Sequence, residues 1–192
     1  MNTVVRSIIN IFTIVDGKLN LLVDKNNNLL EVNCLDDLDS VCNKYINDNI
    51  DISNLNLRQC YTFSKKEDNK YIITVLYVDI INVDNIKLNS EYKLIDSNLI
   101  NNIYLEKSID WLKKELVLSS SIKRLYPNEF ILPEIQKIYE ELLNKTYDRR
   151  NFRKRLIKLD VIEDLNKYSK SKTGRPAKLY KFKDIKEDKI LF

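Results

Sequence analysis

From Val4 to Val23 the chain is mostly Ile, Val, Leu and Phe, broken most clearly at Asp16-Gly17-Lys18. An Asp-Gly pair between apolar runs is the strongest short hairpin signal, because the tight turn needs backbone that glycine adopts freely. The chain therefore opens with two antiparallel strands, and a sheet has to be built around them. The period then changes. Between Asp37 and Ile50, Leu38, Val41, Cys42, Tyr45 and Ile46 fall at i, i+3, i+4, i+7 and i+8, one apolar face of a helix. Strand character returns over Leu57 to Phe63 and Tyr71 to Asn82, with Ser64 to Lys70 expected as a polar loop and Leu88 to Ile95 as a further strand. Ile109, Leu112, Leu116 and Leu118 place a helix over roughly Leu105 to Ser119. Strands first and helices later define an α+β protein, read as a domain over 1–104, a bridging helix over 105–120 and a second domain over 121–192.

The second domain has its own punctuation. Leu132-Pro133-Glu134 opens a helix, since proline suits the first turn and the acid complements the helix dipole; Ile135, Ile138, Tyr139, Leu142 and Leu143 form its apolar face. Asn144 to Tyr147 make a short turn. Asp148 is the N-cap of the next helix, with Tyr147 before it and Phe152 within it placed as a hydrophobic staple. At about 100° per residue, Phe152, Leu156 and Leu159 share one face while Arg150, Asn151, Lys154 and Lys158 point away, flanked by Arg149 and Arg153. Helix, short turn and basic helix form a helix-turn-helix, and Val161-Ile162 with Ala177 to Phe182 supply the two strands of a wing.

Charge collects in the same place. Asp148 to Asp184 hold 13 Lys and Arg against 5 Asp and Glu, a local +8 in a chain of net +4, so the remainder carries −4. A concentrated cationic surface attracts a polyanion, and counterion release on phosphate neutralisation supplies non-specific affinity. Gly174-Arg175-Pro176-Ala177 lies within this patch and holds one of two glycines, one of three prolines and the sole alanine of an Asn-, Ile- and Lys-rich chain. That clustering marks a local requirement.

Composition excludes several alternatives. At 44% hydrophobic and 31% charged residues over 192 positions, the chain reads as an ordinary globular protein. No apolar run approaches the roughly 18 residues of a membrane span, and the N-terminal stretch lacks the basic start and small-residue cleavage site of a signal peptide, so a cytoplasmic protein without a membrane partner is expected. Cys34, Cys42 and Cys60 are odd in number and lack metal-like spacing; they read as reduced core residues. With no histidine, His-based zinc sites, general bases and Ser-His-Asp triads are excluded. No glycine-rich phosphate loop or other cofactor fingerprint exists, and no cofactor is expected.

The basic helix has the chemistry of DNA recognition. Arginine's planar fork pairs bidentately with guanine O6 and N7, and asparagine does the same for adenine N6 and N7. Arg149, Arg150 and Asn151 stand in the first turn, where such helices meet base edges. Arg153 flanks them; Lys154, Lys158, Lys170 and Lys172 are placed to hold phosphates, and Arg175, in a turn fixed by Gly174 and Pro176, to enter a narrow minor groove. Double-stranded DNA is the expected partner.

Phe130-Ile131-Leu132-Pro133-Glu134-Ile135-Gln136, Tyr139-Glu140, Asp148-Arg149-Arg150-Asn151-Phe152-Arg153 and Gly174-Arg175-Pro176-Ala177 closely resemble the winged helix of the Nudix-related (NrtR-type) transcriptional regulators. The resemblance implies a Nudix-like mixed-sheet sensor domain followed by a winged helix-turn-helix, a homodimer, and a regulator, most simply a repressor, of NAD or sugar metabolism genes. ADP-ribose or a sugar-derived metabolite would shift its operator affinity.

Over the first half, Gln59-Cys60-Tyr61-Thr62-Phe63 and Ile73 to Ile81 resemble strands of the same family. Where Nudix enzymes carry a helix reading Arg-Glu-aliphatic-x-Glu-Glu-x-Gly-aliphatic, this chain reads Lys44-Tyr45-Ile46-Asn47-Asp48-Asn49-Ile50-Asp51-Ile52. Hard Mg²⁺ ions need clustered carboxylates to polarise a pyrophosphate, and Tyr45 and Asn49 supply none. No catalytic or metal-binding residues are therefore expected. The preceding glycine-rich turn is also missing around Asn26 to Val32, and the loop after Phe63 is Ser64-Lys65-Lys66-Glu67-Asp68-Asn69-Lys70. Two other readings remain: a Nudix-like dimerisation module whose winged helix docks protein, and a residual nucleotide pyrophosphatase.

Overall fold

The computed structural model describes residues 2–118, 120–126, 128–170 and 176–183. Two compact units emerge, one taking the chain to Thr13 and Asn20–Leu112, the other taking Ile14–Leu19 and the chain from Lys113 onward.

The first unit is a mixed sheet between two helices. Its elements are β1 (Asn2–Val15), β2 (Lys18–Asp24), β3 (Leu30–Asn33), α1 (Leu38–Asn49), β4 (Asp51–Ile52), β5 (Arg58–Glu67), β6 (Lys70–Ile80), β7 (Ile86–Lys87), β8 (Tyr92–Asp96) and α2 (Ile103–Leu118), whose last turns pass into the second unit. The main sheet runs β5-β6-β1-β2-β8, with β3 also on β1. Strands β1 and β6 are parallel, from Asn2↔Lys70 to Phe12↔Ile80, whereas β3, β5 and β8 pair antiparallel with their neighbours. Alternation along β1 separates the faces. Ile9 and Ile11 pack with Cys42 and Ile46 of α1, alongside Leu22, Leu30, Val75 and Tyr77. Asn10 faces the opposite way and donates to Ser108 Oγ of α2 at 2.8 Å.

Helix α1 starts at Asp37, whose carboxylate accepts from the Ser40 N–H at 2.8 Å, an N-cap that satisfies one orphan donor. In α2 the fully buried stripe is Leu105, Ser108, Leu112 and Leu116, with Ile109 only half-buried. Ser108 occupies an apolar position because its partner is the equally buried Asn10, a pairing that hydrophobic periodicity does not register.

Two expectations need correction in this unit. Ser64 to Lys70 is not a loop: β5 continues to Glu67 and β6 begins at Lys70, with register Lys65↔Ile72, Lys66↔Tyr71 and Glu67↔Lys70, leaving Asp68 and Asn69 as the turn. From Ser64 to Glu67 the side chains are exposed, so no apolar alternation marks that part of the strand, whereas earlier in β5 Phe63 packs edge-on against Tyr104 of α2 at 5.1 Å. Likewise the strand expected over Leu88 to Ile95 begins only at Tyr92, as β8 (Tyr92–Asp96), because Asn89 bends the chain by accepting the Glu91 N–H on its side chain; β7 lies before the expected span and pairs with β4.

The second unit contains β9 (Phe130–Ile131), α3 (Leu132–Leu143), α4 (Arg149–Lys158), β10 (Ile162–Tyr168) and β11 (Lys178–Phe182). The three strands form one sheet in the order β10-β11-β9, so the wing hairpin has a third strand from the segment before α3. Leu179↔Ile131 and Tyr180↔Phe130 set that pairing. Its core joins Phe130, Ile135, Ile138, Tyr139, Leu142, Phe152, Leu156 and Tyr180, all buried. The Asp16-Gly17 turn also clusters here; both residues have positive φ, 51° and 79°, as a type I′ hairpin requires.

Turns elsewhere follow one habit. Among the described residues, every non-glycine with positive φ is Asp or Asn: Asp16, Asn27, Asn54, Asp68, Asn144, Asp160 and Asn166. Their short polar side chains bond locally and tolerate left-handed backbone better than other residues do.

Candidate nucleic-acid interface

Helix α3 begins with Pro133 in its first turn and Glu134 Oε2 accepting from the Ile131 N–H at 3.3 Å. It stops where Asn144 turns left-handed at φ 48°, ψ 48°. The elbow that follows is held by polar groups. Gln136 Nε2 donates to Glu140 Oε1 at 2.9 Å and to the Tyr147 carbonyl at 2.7 Å, while the Tyr147 N–H donates to Glu140 Oε1 at 2.8 Å. Both backbone groups of Tyr147 are thereby gripped from α3, with Gln136 itself buried. The Gln136 amide, then the Tyr147 N–H and the charge of Arg149, hold the Glu140 carboxyl below its usual range.

One residue on, Asp148 is extended and its carboxylate accepts from the Asn151 N–H at 2.9 Å, capping α4 as expected. Phe152 pins the helix inward, its ring 5.7 Å from Tyr147 and 5.9 Å from Tyr139, in the range of aromatic pairs. The Tyr139 hydroxyl donates to the Leu116 carbonyl at 3.1 Å, satisfying its polar end within the core. With Phe152 and Leu156 buried, Arg149, Arg150, Asn151, Arg153, Lys154, Arg155 and Lys158 are all exposed. An open cleft of about 350 Å³ at the start of α4 is lined by Lys145, Thr146, Tyr147, Asp148, Asn151, Phe152 and Arg155.

The wing presents charge differently. Lys178 pairs with Asp164 at 2.8 Å, Lys181 with Glu163 at 3.2 Å, Lys183 with Asp160 at 2.6 Å and Lys167 with Glu129 at 3.0 Å. Lys178, through its hydrogen bond, lowers the Asp164 carboxyl, and Arg153 adds to the same field, which brings α4 electrostatically close to β10. Lys170 is exposed just past β10. Lys172 and Arg175 lie outside the described residues. The expected site residues of α4 thus share one short helix. Sequence reasoning passed over Arg155, and it passed over the Gln136 and Glu140 grip, for which only their one-turn spacing offered a signal.

In the first unit, Lys44 to Asn49 form the last turns of α1 and Asp51–Ile52 the short β4. Asp48 lies 3.9 Å from Lys44, and Asn49 Nδ2 donates to the Tyr45 carbonyl at 2.8 Å. Burial, then a hydrogen bond with Tyr92, pushes the Tyr45 hydroxyl up. No helix among the described residues is long and apolar enough to cross a membrane.

A sheet flanked by α1 and α2, followed by helix, elbow, basic helix and a three-stranded wing, defines a Nudix-like domain joined to a winged helix. Residues 123–182 match the NrtR DNA-binding winged helix domain. Over 58 residues, 30% of the chain, the sequence is 41% identical to the ADPR responsive transcriptional repressor NtrR of Acinetobacter baylyi, a match that spans 23% of that repressor's length. The whole fold is similar to Shewanella oneidensis NrtR in complex with a 27mer DNA, with TM-score 0.75, 20% identity and 93% of each chain covered. It is also similar to a MutT/nudix family protein from Enterococcus faecalis, with TM-score 0.68, 14% identity, and 95% and 87% of the two chains covered. Sequence over the winged helix and fold over the whole chain thus agree on an NrtR-type, Nudix-related architecture.

Proposed function

We propose that this chain is a DNA-binding transcriptional regulator, a repressor of NAD or sugar metabolism genes, whose Nudix-like domain over 1–104 senses ADP-ribose or a related metabolite without hydrolysing it. The observation that carries the reading is helix α4, a capped and mounted helix whose exposed surface is cationic or amide-bearing from Arg149 to Lys158 apart from Ile157. The match of residues 123–182 to a DNA-binding winged helix supports it. Arg149, Arg150 and Asn151 meet base edges, flanked by Arg153; Lys154, Lys158, Lys170 and Lys172 position the helix on phosphates, and Arg175 enters the minor groove. The sensing role draws on the relative described as ADPR responsive.

Fluorescence anisotropy with duplexes from upstream of the protein's own and neighbouring genes tests the main claim. One duplex should bind far more tightly than scrambled DNA, with log affinity falling linearly in log salt, and adding ADP-ribose should shift that affinity. Equal, weak binding to every duplex defeats the regulator reading; tight binding indifferent to ADP-ribose defeats the effector alone.

The sensor is expected to leave its ligand intact. Tyr45 and Asn49 stand where an enzyme of this fold needs carboxylates, and Asp48 alone cannot gather hard cations into a reacting pair. ADP-ribose, NAD and diadenosine substrates should survive incubation with Mg²⁺ or Mn²⁺, followed by chromatography. Turnover abolished by Asp48→Ala overturns this part.

A further inference from the structure

We infer that Ile157 reads a thymine methyl group in the major groove and so sets part of the sequence preference of helix α4. The inference rests on the DNA-binding reading above and deepens it. Ile157 is 49% exposed, whereas Phe152 and Leu156 of the same helix are only 2% and 0% exposed. A single exposed aliphatic side chain is ordinary on a protein surface. Its place is not. Among the described residues from Lys113 onward, only Ile157 and Tyr168 are large apolar side chains left exposed, and they sit on the candidate recognition helix and at the end of the first wing strand.

Within α4, Ile157 follows Arg150 at i+7 and Arg153 at i+4, so at about 100° per residue it lies roughly 20° from Arg150 and about 40° from Arg153 around the helix. It extends the stripe that presents guanidinium groups. Every other exposed residue of α4 carries a charge or an amide. About half of that isoleucine is left as apolar surface facing water, and the apolar feature of the major groove that could cover it is the thymine C5-methyl group. Ile157 lies seven residues beyond Arg150, about 10 Å at roughly 1.5 Å per residue, or close to three base-pair steps of about 3.4 Å. The thymine it reads should therefore lie about three steps from the base pair read by Arg150.

The test uses the full chain and a duplex it selects from a random-sequence pool, in which each thymine is replaced singly by deoxyuridine. That replacement removes only the methyl group. The parent protein should lose about three- to fivefold in affinity at one thymine per half-site, the effect of withdrawing one methyl from apolar contact. Ile157→Ala should bind the unmodified duplex with a similar loss and be indifferent to deoxyuridine at that position alone. Ile157→Val should keep the sensitivity. Because the side chain is exposed, these variants should unfold at the parent's temperature. Failure to enrich any duplex defeats the regulator reading and this inference together. Selective binding in which no deoxyuridine substitution distinguishes the parent from Ile157→Ala overturns the inference and leaves the regulator standing.

Discussion

At the scale of single residues, the two kinds of contact expected of α4 should separate in solution. On the proposed assignment of Arg150 to base edges and Lys154 to phosphates, Arg150→Ala should relax sequence preference and cost about 1–3 kcal/mol on the preferred duplex, while Lys154→Ala should weaken all duplexes alike and flatten the salt slope by about 1. Identical profiles for the two variants would defeat the assignment. Glu140 allows a sign-defined test of the elbow. Its carboxyl is lowered from its ordinary value of 4.5, so the ionised form stabilises the fold above that value and the contribution is lost as pH falls through the lowered one. Glu140→Ala should therefore lower the urea midpoint at pH 7 by clearly more than at pH 3; equal losses at both pH values would show that the carboxylate charge does not matter there. Glu140→Gln, which keeps an acceptor for the Tyr147 N–H, should recover part of the loss. The α4 cations were legible in the sequence because a charge run on a helix shows in the residue types themselves. The Gln136, Glu140 and Tyr147 grip was not, since its meaning depends on which backbone groups the elbow brings within 3 Å.

Among the elements, the helices and apolar strands could be read from periodicity, as with Leu38–Asn49 and Leu132–Leu143, where buried positions recur every three or four residues. The extension of β5 from Ser64 to Glu67 could not, because its residues are exposed Ser, Lys and Glu and only pairing to β6 marks it as strand. Strand β9 is two residues long and gains its identity only when Tyr180 and Leu179 arrive opposite it. The opening hairpin was legible for a stereochemical reason, and that reason can be tested. Gly17 sits at φ +79°, and a Cβ placed there would meet only Lys137 Cδ at 3.8 Å, ordinary contact distance. The cost of a side chain is thus in the backbone. Gly17→Ala should destabilise by about 1–2 kcal/mol, and Gly17→Asn by less, measured as shifts in urea midpoint. A neutral Gly17→Ala would show that the turn has another conformation in solution.

At the scale of the whole molecule, a winged helix of about 60 residues buries a modest DNA surface, and pairing two of them raises the effective local concentration of the second. We therefore expect a homodimer whose operator is a near-palindrome with half-site centres a whole number of helical turns apart. Light scattering of the full chain at micromolar concentration should return twice the 22.8 kDa chain mass, and a monomer there would refute the expectation. The left-handed turns, finally, bear on the state the chain leaves when it folds. Among the described residues seven are made by Asp or Asn, and the whole chain has two glycines. Each such residue strains the native backbone slightly, yet each also denies the disordered chain the extra freedom a glycine would give it. A chain built this way is stiffer before it folds and has less disorder to surrender, so part of its stability is set in the denatured ensemble, where no contact in the folded molecule records it.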